Sequence, residues 1–337
     1  MKAREPQGGL VKSADVAGGT AVASTLTDPR AARSRSLLGD ALRRFFRNPT
    51  GVVGLAVVMF FVVMALLAPV LRPYDAATDR NLRLRLSPPS WTLTAAERAE
   101  LSDDADMEIT RWTLPFGTDE NGRDLLVRVW HGGRISLRIG IIAVAISSVI
   151  GVSLGLLSGY VRGWTDLVIV WLMDILQAFP GILLAIAIVA TLGPSLTNAL
   201  IAISITQIPN YVRITRSVVL GLRESEYVQA AKALGSGSPR IVFGHIFPNS
   251  LSPIMVQLTL SIGTVILEVA ALGFLGLGAQ PPDPEWGVMI RDGYRQFLRA
   301  PWMSIFPGLA IFLSVVGFNL LGDAIRDVLD PRLKNVS

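Results

Sequence analysis

The chain has 337 residues, 51% of them hydrophobic and 17% charged, with a mean hydropathy of +0.49; a soluble domain carries about a quarter charged residues, so composition points into a membrane. It holds no cysteine and two histidines, His131 and His245, which excludes disulfide frameworks, thiolate metal sites, cysteine nucleophiles and histidine-rich metal centres. The net charge of +5 and pI near 9.9 come from residues scattered between apolar runs, not from a basic patch interleaved with aromatics, so lipid headgroups account for them and nucleic acid does not.

Residues 1–36 are polar and lack the apolar core of a signal peptide, which predicts a disordered cytoplasmic tail. Residues 37–72 bring the first span: 51–71 is an uncharged apolar run, long enough at about 1.5 Å per residue to cross roughly 30 Å of hydrocarbon. Arg43, Arg44 and Arg47 precede it and hold the N-terminus in the cytoplasm under the positive-inside rule. Residues 73–134 read as an extracytoplasmic segment rich in both arginines and acidic residues. Within it, 119–134 places Leu125, Leu126, Val129 and Trp130 on one helical face and predicts an interfacial amphipathic helix.

Residues 135–323 supply five further spans, at 137–160, 167–192, 196–219, 251–275 and 303–321. The fold class is therefore an all-α polytopic membrane protein with six transmembrane helices. An even number returns residues 324–337 to the cytoplasm, where Arg326, Arg332 and Lys334 agree with that side. The stretch 213–247, with Arg213, Arg216, Arg223, Lys232 and Arg240, is cytoplasmic by the same rule.

Polar residues interrupt the spans at Asp174, Gln177 and Pro180, at Pro209, and at Glu268. A carboxylate in lipid is costly and marks a bundle interior or an aqueous path, so Asp174, Gln177 and Glu268 are candidates to line a translocation path. The competing roles are hydration or an arginine pair near the cytoplasmic end for Asp174 and a helix–helix hydrogen bond for Glu268. The prolines predict kinks. Gly151 and Gly155 form a G-x-x-x-G step that lets a neighbouring helix approach, within the subunit or from a partner. Residues 279–300 carry Pro281, Pro282, Pro284 and Trp286 on the external side. Pro281, Pro282 and Trp286 are candidates for an outer gate or a partner contact, with a plain re-entrant connector as the alternative.

From Glu226 the chain reads E-Y-V-Q-A-A-K-A-L-G to Gly235, and then I-V-F-G-H-I-F-P-N ending at Asn249. This predicts a short helix with small side chains at Ala230, Ala231 and Ala233, stopped at Gly235, and a second short helix closing at Pro248. A small-residue helix across the mouth of a bundle fits a groove on another protein.

This segment, 226–249, resembles the EAA loop of ABC importer permeases. Glu226, Ala230 and Ala231 supply its helix, Gly235 its glycine, and Ile246-Phe247-Pro248 its end, with Phe where the pattern has Leu. The blocks GTDENGRD, DILQAFPGILLAIAIVATLG, FLGLGAQPPDPEWGVMI and NLLGDAIRDVLDPRLK are similar, in the same order, to the C-type permease subunit of the dipeptide/oligopeptide/nickel family over residues 37–335. Residues 91–114 extend the external segment beyond that pattern. Ala271 and Gly273 stand where the family often has Leu and Ser.

The resemblance implies a type I ABC importer permease architecture with cytoplasmic coupling helices in the bacterial inner membrane. It implies half of a path for di- or oligopeptides, with nickel or another small solute as alternatives. Implied partners are a second permease subunit forming a heterodimer, two cytoplasmic ATPase subunits or domains, and an extracytoplasmic substrate-binding protein. No G-x-x-x-x-G-K-[ST] phosphate loop occurs, so no cofactor and no catalytic residue are expected on this chain. ATP and Mg²⁺ would be used by the ATPase partners. The rival class, an ion-coupled secondary transporter running on Asp174 and Glu268, calls for inverted repeats with broken helices in both halves, and no such repeat is visible in the sequence.

Overall fold

The computed structural model describes residues 37–75 and 78–329; the expected tail 1–36, Arg332 and Lys334 lie outside the described residues. Contacts divide the chain into two units, residues 1–40 and 41–337, and apart from the first four residues of the first helix everything that follows lies in the second. Helix α1 (Leu37–Arg47) ends on Arg44 and Arg47, and α2 (Pro49–Leu71) starts at once, with Pro49 in its first turn and the Asn48 carboxamide oxygen accepting from the Thr50 and Gly51 backbone N–H groups at 3.1 and 3.4 Å. Proline suits that position because its missing N–H is one the helix start leaves unpaired. After α3 (Ala95–Ala105) come α4 (Leu125–Val161), α5 (Gly163–Gln177), α6 (Gly181–Leu192), α7 (Leu196–Arg223), α8 (Glu226–Ala233), α9 (Ser238–Ile241), α10 (Phe247–Phe274), α11 (Trp286–Arg295) and α12 (Trp302–Leu329). The described residues form no β-strand.

Four helical stretches are long and apolar enough to cross a membrane: Pro49–Leu71, Leu125–Val161, Ser238–Phe274 and Trp302–Leu329. A fifth arises if α5 and α6 make one span, bent by 85° at residues 178–180. The expected continuous span 167–192 is thus broken. Pro180 has no N–H to continue the α5 ladder, and the chain leaves helical geometry there before α6 begins. Helix α7 has 28 residues, about 42 Å at 1.5 Å each. Asn198, Gln207, Asn210, Arg213 and Arg216 make it too polar to join that apolar set. Six crossings are compatible with this arrangement.

Glycines set the packing of α4 on α7. A Cβ on Gly151 would stand 2.5 Å from Tyr211 Cβ, and one on Gly155 would stand 2.6 Å from Thr215 Cβ and 2.8 Å from the Val212 carbonyl oxygen. The G-x-x-x-G step therefore serves contact within the subunit. Gly155→Leu is expected to cost about 1–3 kcal/mol by overpacking, read as a lower thermal midpoint in detergent; an unchanged midpoint would contradict this packing.

The segment between α2 and α4 has its own small core of Leu84, Ala105, Ile109 and Leu114. Helix α3 is closed by a reciprocal cap, Thr94 with Glu97, in which the backbone N–H of Thr94 draws the Glu97 carboxyl below its ordinary range. The expected interfacial helix 119–134 is corrected. Residues 119–124 are a turn, and the remainder is the start of the continuous 37-residue α4, with Leu125 and Val129 buried. Asp124 caps α4, its carboxylate accepting from the Leu126 N–H at 2.9 Å. Asp119 accepts from Arg123 Nε at 2.7 Å, from Arg128, and from the backbone N–H groups of Asn121 and Arg123.

Burial pushes the Asp119 carboxyl up, but Arg128, Arg123 and the Arg123 N–H outweigh it and hold it below the ordinary carboxylate range. A depressed folded value means that the stabilisation is complete above the unfolded pKa, about 3.9, and is lost as pH falls through the folded value. Acid titration of the detergent-solubilised protein should show this loss, and Asp119→Asn should flatten it. An identical acid profile in both proteins would contradict the assignment.

Candidate translocation site and coupling surface

Three helices bring four polar side chains into one ladder. Gln177 Nε2 on α5 donates to Asn210 Oδ1 on α7 at 3.3 Å, Asn210 Nδ2 donates to Gln207 Oε1 at 3.1 Å, and Gln207 Nε2 donates to both oxygens of Glu268 on α10 at 2.9 and 3.0 Å. Gln207 and Asn210 are three residues apart, so they share a face of α7. The ladder borders a cavity of about 460 Å³ whose lining also includes Gln257, Ser261 and Thr264. Thus Gln177 and Glu268 meet at one cavity, through two amides that the sequence analysis did not single out. Their signal was present: a pair of carboxamides at helical spacing in an otherwise apolar stretch.

Asp174 lies one turn from Gln177, and its Oδ1 accepts from Arg213 Nη2 at 2.8 Å, both side chains being more than half exposed in the single chain. An exposed pair of this kind contributes roughly 0–1 kcal/mol, so it orients the stripe more than it stabilises the fold. Asp166 is different: Arg216 binds it in a fork, with Nε to Oδ1 at 2.6 Å and Nη2 to Oδ2 at 2.8 Å, and Ser158 also donates to it. This ties the start of α5 to α7 and α4. A second cavity, about 840 Å³, opens beside Tyr74, His131, Arg134, Arg138, Thr197 and Asp283.

The 226–249 loop is pinned by a buried anchor and presents an exposed face. Val228 and Ile246 are fully buried and pack with Leu156, Val219 and Ile241, which joins the loop to the ends of α4 and α7. Arg223 Nη1 bonds the Tyr160 carbonyl oxygen at 2.8 Å and fastens those two ends together. Glu226 and Ala230 are exposed and Ala231 is half-buried. Gly235, at φ +78°, ends α8: its N–H donates to the Lys232 carbonyl oxygen and that of Ser236 to the Ala231 carbonyl oxygen, a Schellman closure that needs a left-handed residue. Leu234 is 87% exposed and Phe243 68%, large apolar surfaces in a polar loop.

The expected helix end at Pro248 is corrected. The chain runs through a wide π-helical turn at Val242–Ile246 straight into α10, with the exposed Pro248 in the first turn of α10. The wide turn removes the clash that a proline ring makes with the carbonyl four residues earlier.

Trp286 is also corrected. The exposed candidates are Pro281 and Pro282, joined by a cis peptide bond. Trp286 is fully buried, its Nε1–H donating to the Val129 carbonyl oxygen at 2.9 Å and its ring edge-on to Phe61. It therefore reaches no partner. Glu285 caps α11, its carboxylate accepting from the Gly287 and Val288 N–H groups and from Ser136 Oγ. Gly287 is pressed so closely on α10 that a Cβ would fall 2.1 Å from the Ala270 carbonyl oxygen.

A helical bundle with several apolar spans, a polar ladder between three helices and an anchored loop is the architecture of a polytopic membrane protein. Its fold is shared with a chain of the MetNI methionine ABC transporter solved in inward-facing conformations: the TM-score is 0.51 at 18% identity, covering 61% of this chain and 96% of that one. Residues 151–335 match the family described as binding-protein-dependent transport system inner membrane component, and residues 36–89 match the N-terminal TM domain of oligopeptide transport permease C. The chain belongs to the first of these families, as an inner-membrane permease of the C type. It is 48% identical to the dipeptide transport system permease protein DppC of Alkalihalophilus pseudofirmus over 88% of this chain and 90% of that protein. It is 44% identical to the di/tripeptide transport system permease protein DppC of Pseudomonas aeruginosa (90% and 94% covered), and 42% identical to the glutathione transport system permease protein GsiD of Pectobacterium atrosepticum (87% and 90%).

Proposed function

We propose that the chain forms half of the path of an ATP-driven importer of short peptides. Relatives named for dipeptides, di/tripeptides and glutathione support the substrate class. The observation that carries the mechanism is the 226–249 loop: an exposed helix with Ala230 and Leu234 on its surface, pinned through Val228 to the ends of α4 and α7. Two cytoplasmic ATPase subunits or domains dock on this pair of loops, one from this chain and one from a second permease subunit in a heterodimer. ATP and Mg²⁺ act on the ATPases, and this chain binds neither and catalyses no reaction. Closure of the ATPases moves α8, and α4 and α7 move with it between inward- and outward-facing states, a two-state element biased by nucleotide.

Six crossings (α2, α4, the α5–α6 pair, α7, α10 and α12) keep both termini in the cytoplasm. Arg43, Arg44 and Arg47 before α2 support that orientation. Asp174, Gln177 and Glu268 line the path. Pro281 and Pro282 face the extracytoplasmic binding protein, beside the larger cavity.

A single-cysteine test suits a chain without native cysteine. Ala230→Cys, labelled with a benzophenone maleimide in the complete transporter and photolysed, should give a covalent product with the ATPase. Products with lipid alone would overturn the docking assignment.

A further inference from the structure

We propose that Glu268 sets specificity in the path by receiving the protonated amino group of the crossing peptide; this rests on the peptide-importer reading. Among the described residues lining the 460 Å³ cavity, Glu268 is the single ionisable one; the polar remainder are amides and hydroxyls. Among the described residues its hydrogen-bond partner is neutral: Gln207 spans both carboxyl oxygens with one amide nitrogen, which orients the group and brings no cation to it. The neighbouring charges are already matched, Asp174 with Arg213 and Asp166 with Arg216. A carboxylate held in a span without a cation attracts one from the path, and an ammonium group with three donors fits its remaining lone pairs.

The same charge repels the peptide's own carboxylate, so it imposes an orientation, amino end toward α10. The Gln177–Asn210–Gln207 amides complement peptide backbone, donor to carbonyl and acceptor to N–H, without selecting side chains. The pairing of one anion with a neutral amide ladder thus suits many short peptides that share a free amino terminus.

The test uses the complete transporter, with both permease subunits, ATPases and binding protein, in proteoliposomes. Glu268→Gln keeps the hydrogen bond to Gln207 and removes the charge. Dipeptide uptake is expected to fall about tenfold or more, the scale of losing a hydrogen bond to a charged group, while ATP hydrolysis stimulated by the loaded binding protein is retained. Glu268→Asp should restore part of the uptake. Uptake at the wild-type rate in Glu268→Gln would overturn the proposal, as would an equal loss of stimulated hydrolysis and uptake, which marks a merely structural role. If the wild-type complex itself shows no ATP-dependent peptide uptake, the functional reading fails; wild-type uptake with an insensitive Glu268→Gln sinks the counter-ion role alone.

Discussion

Ala230→Arg in the complete transporter is expected to reduce peptide uptake by about 100-fold or more, which corresponds to ~2.7 kcal/mol at 1.36 kcal/mol per tenfold. Tyr227, Ala230 and Leu234 recur at helical spacing on the exposed side of α8. A long charged side chain at the small central position holds any partner away from its two flanking apolar contacts. The chain's own fold has little at stake there, because an exposed helical site away from caps and core changes stability by within about 0.5 kcal/mol. Uptake should therefore fall while the permease remains in the membrane in normal amount. Stimulated ATP hydrolysis should fall with it. Normal uptake by the arginine variant would show that the energy enters elsewhere.

Trp286→Ala is the second large effect, and it falls on stability. The ring fills the space between α2 and α4, edge-on to Phe61 at 5.7 Å, and covers Gly133, whose added Cβ would lie 2.8 Å from the indole. Removing a buried tryptophan costs about 3–5 kcal/mol through lost transfer energy and the cavity left behind. A strongly lowered thermal midpoint and reduced membrane abundance are expected. Pro281→Ala, at the exposed tip of the same connector, serves as a control and should leave the midpoint in place. A Trp286→Ala protein as stable as the parent would contradict the packing described.

Apolar run length and glycine spacing carried most of the architecture in advance. The expected spans 51–71, 137–160, 196–219, 251–275 and 303–321 fall on helices, while 167–192 is broken at Pro180; Gly235 stops α8, and Gly151 and Gly155 meet α7, because these features are local and periodic. An arginine pair was one of the alternatives the sequence left open for Asp174, and Arg213 supplies it. The misses share a cause in tertiary context. Trp286 sits in a short proline-rich stretch without period, so only the fold reveals that α11 tucks its first turn between α4 and α10. Pro248 reads as a stop, yet a wide turn before it lets the helix continue. Gln207 and Asn210 are ordinary polar residues until α5 and α10 bring Gln177 and Glu268 to them.

Peptide uptake into proteoliposomes holding the complete transporter, with ATP on the ATPase side and ion gradients collapsed, or with a proton or sodium gradient imposed and ATP absent, bears most directly on the central claim. An ATP-driven permease half predicts uptake with ATP alone and none with a proton or sodium gradient in its absence. Uptake that persists on a gradient without ATP would contradict the account and turn Asp174 and Glu268 into ion-coupling sites.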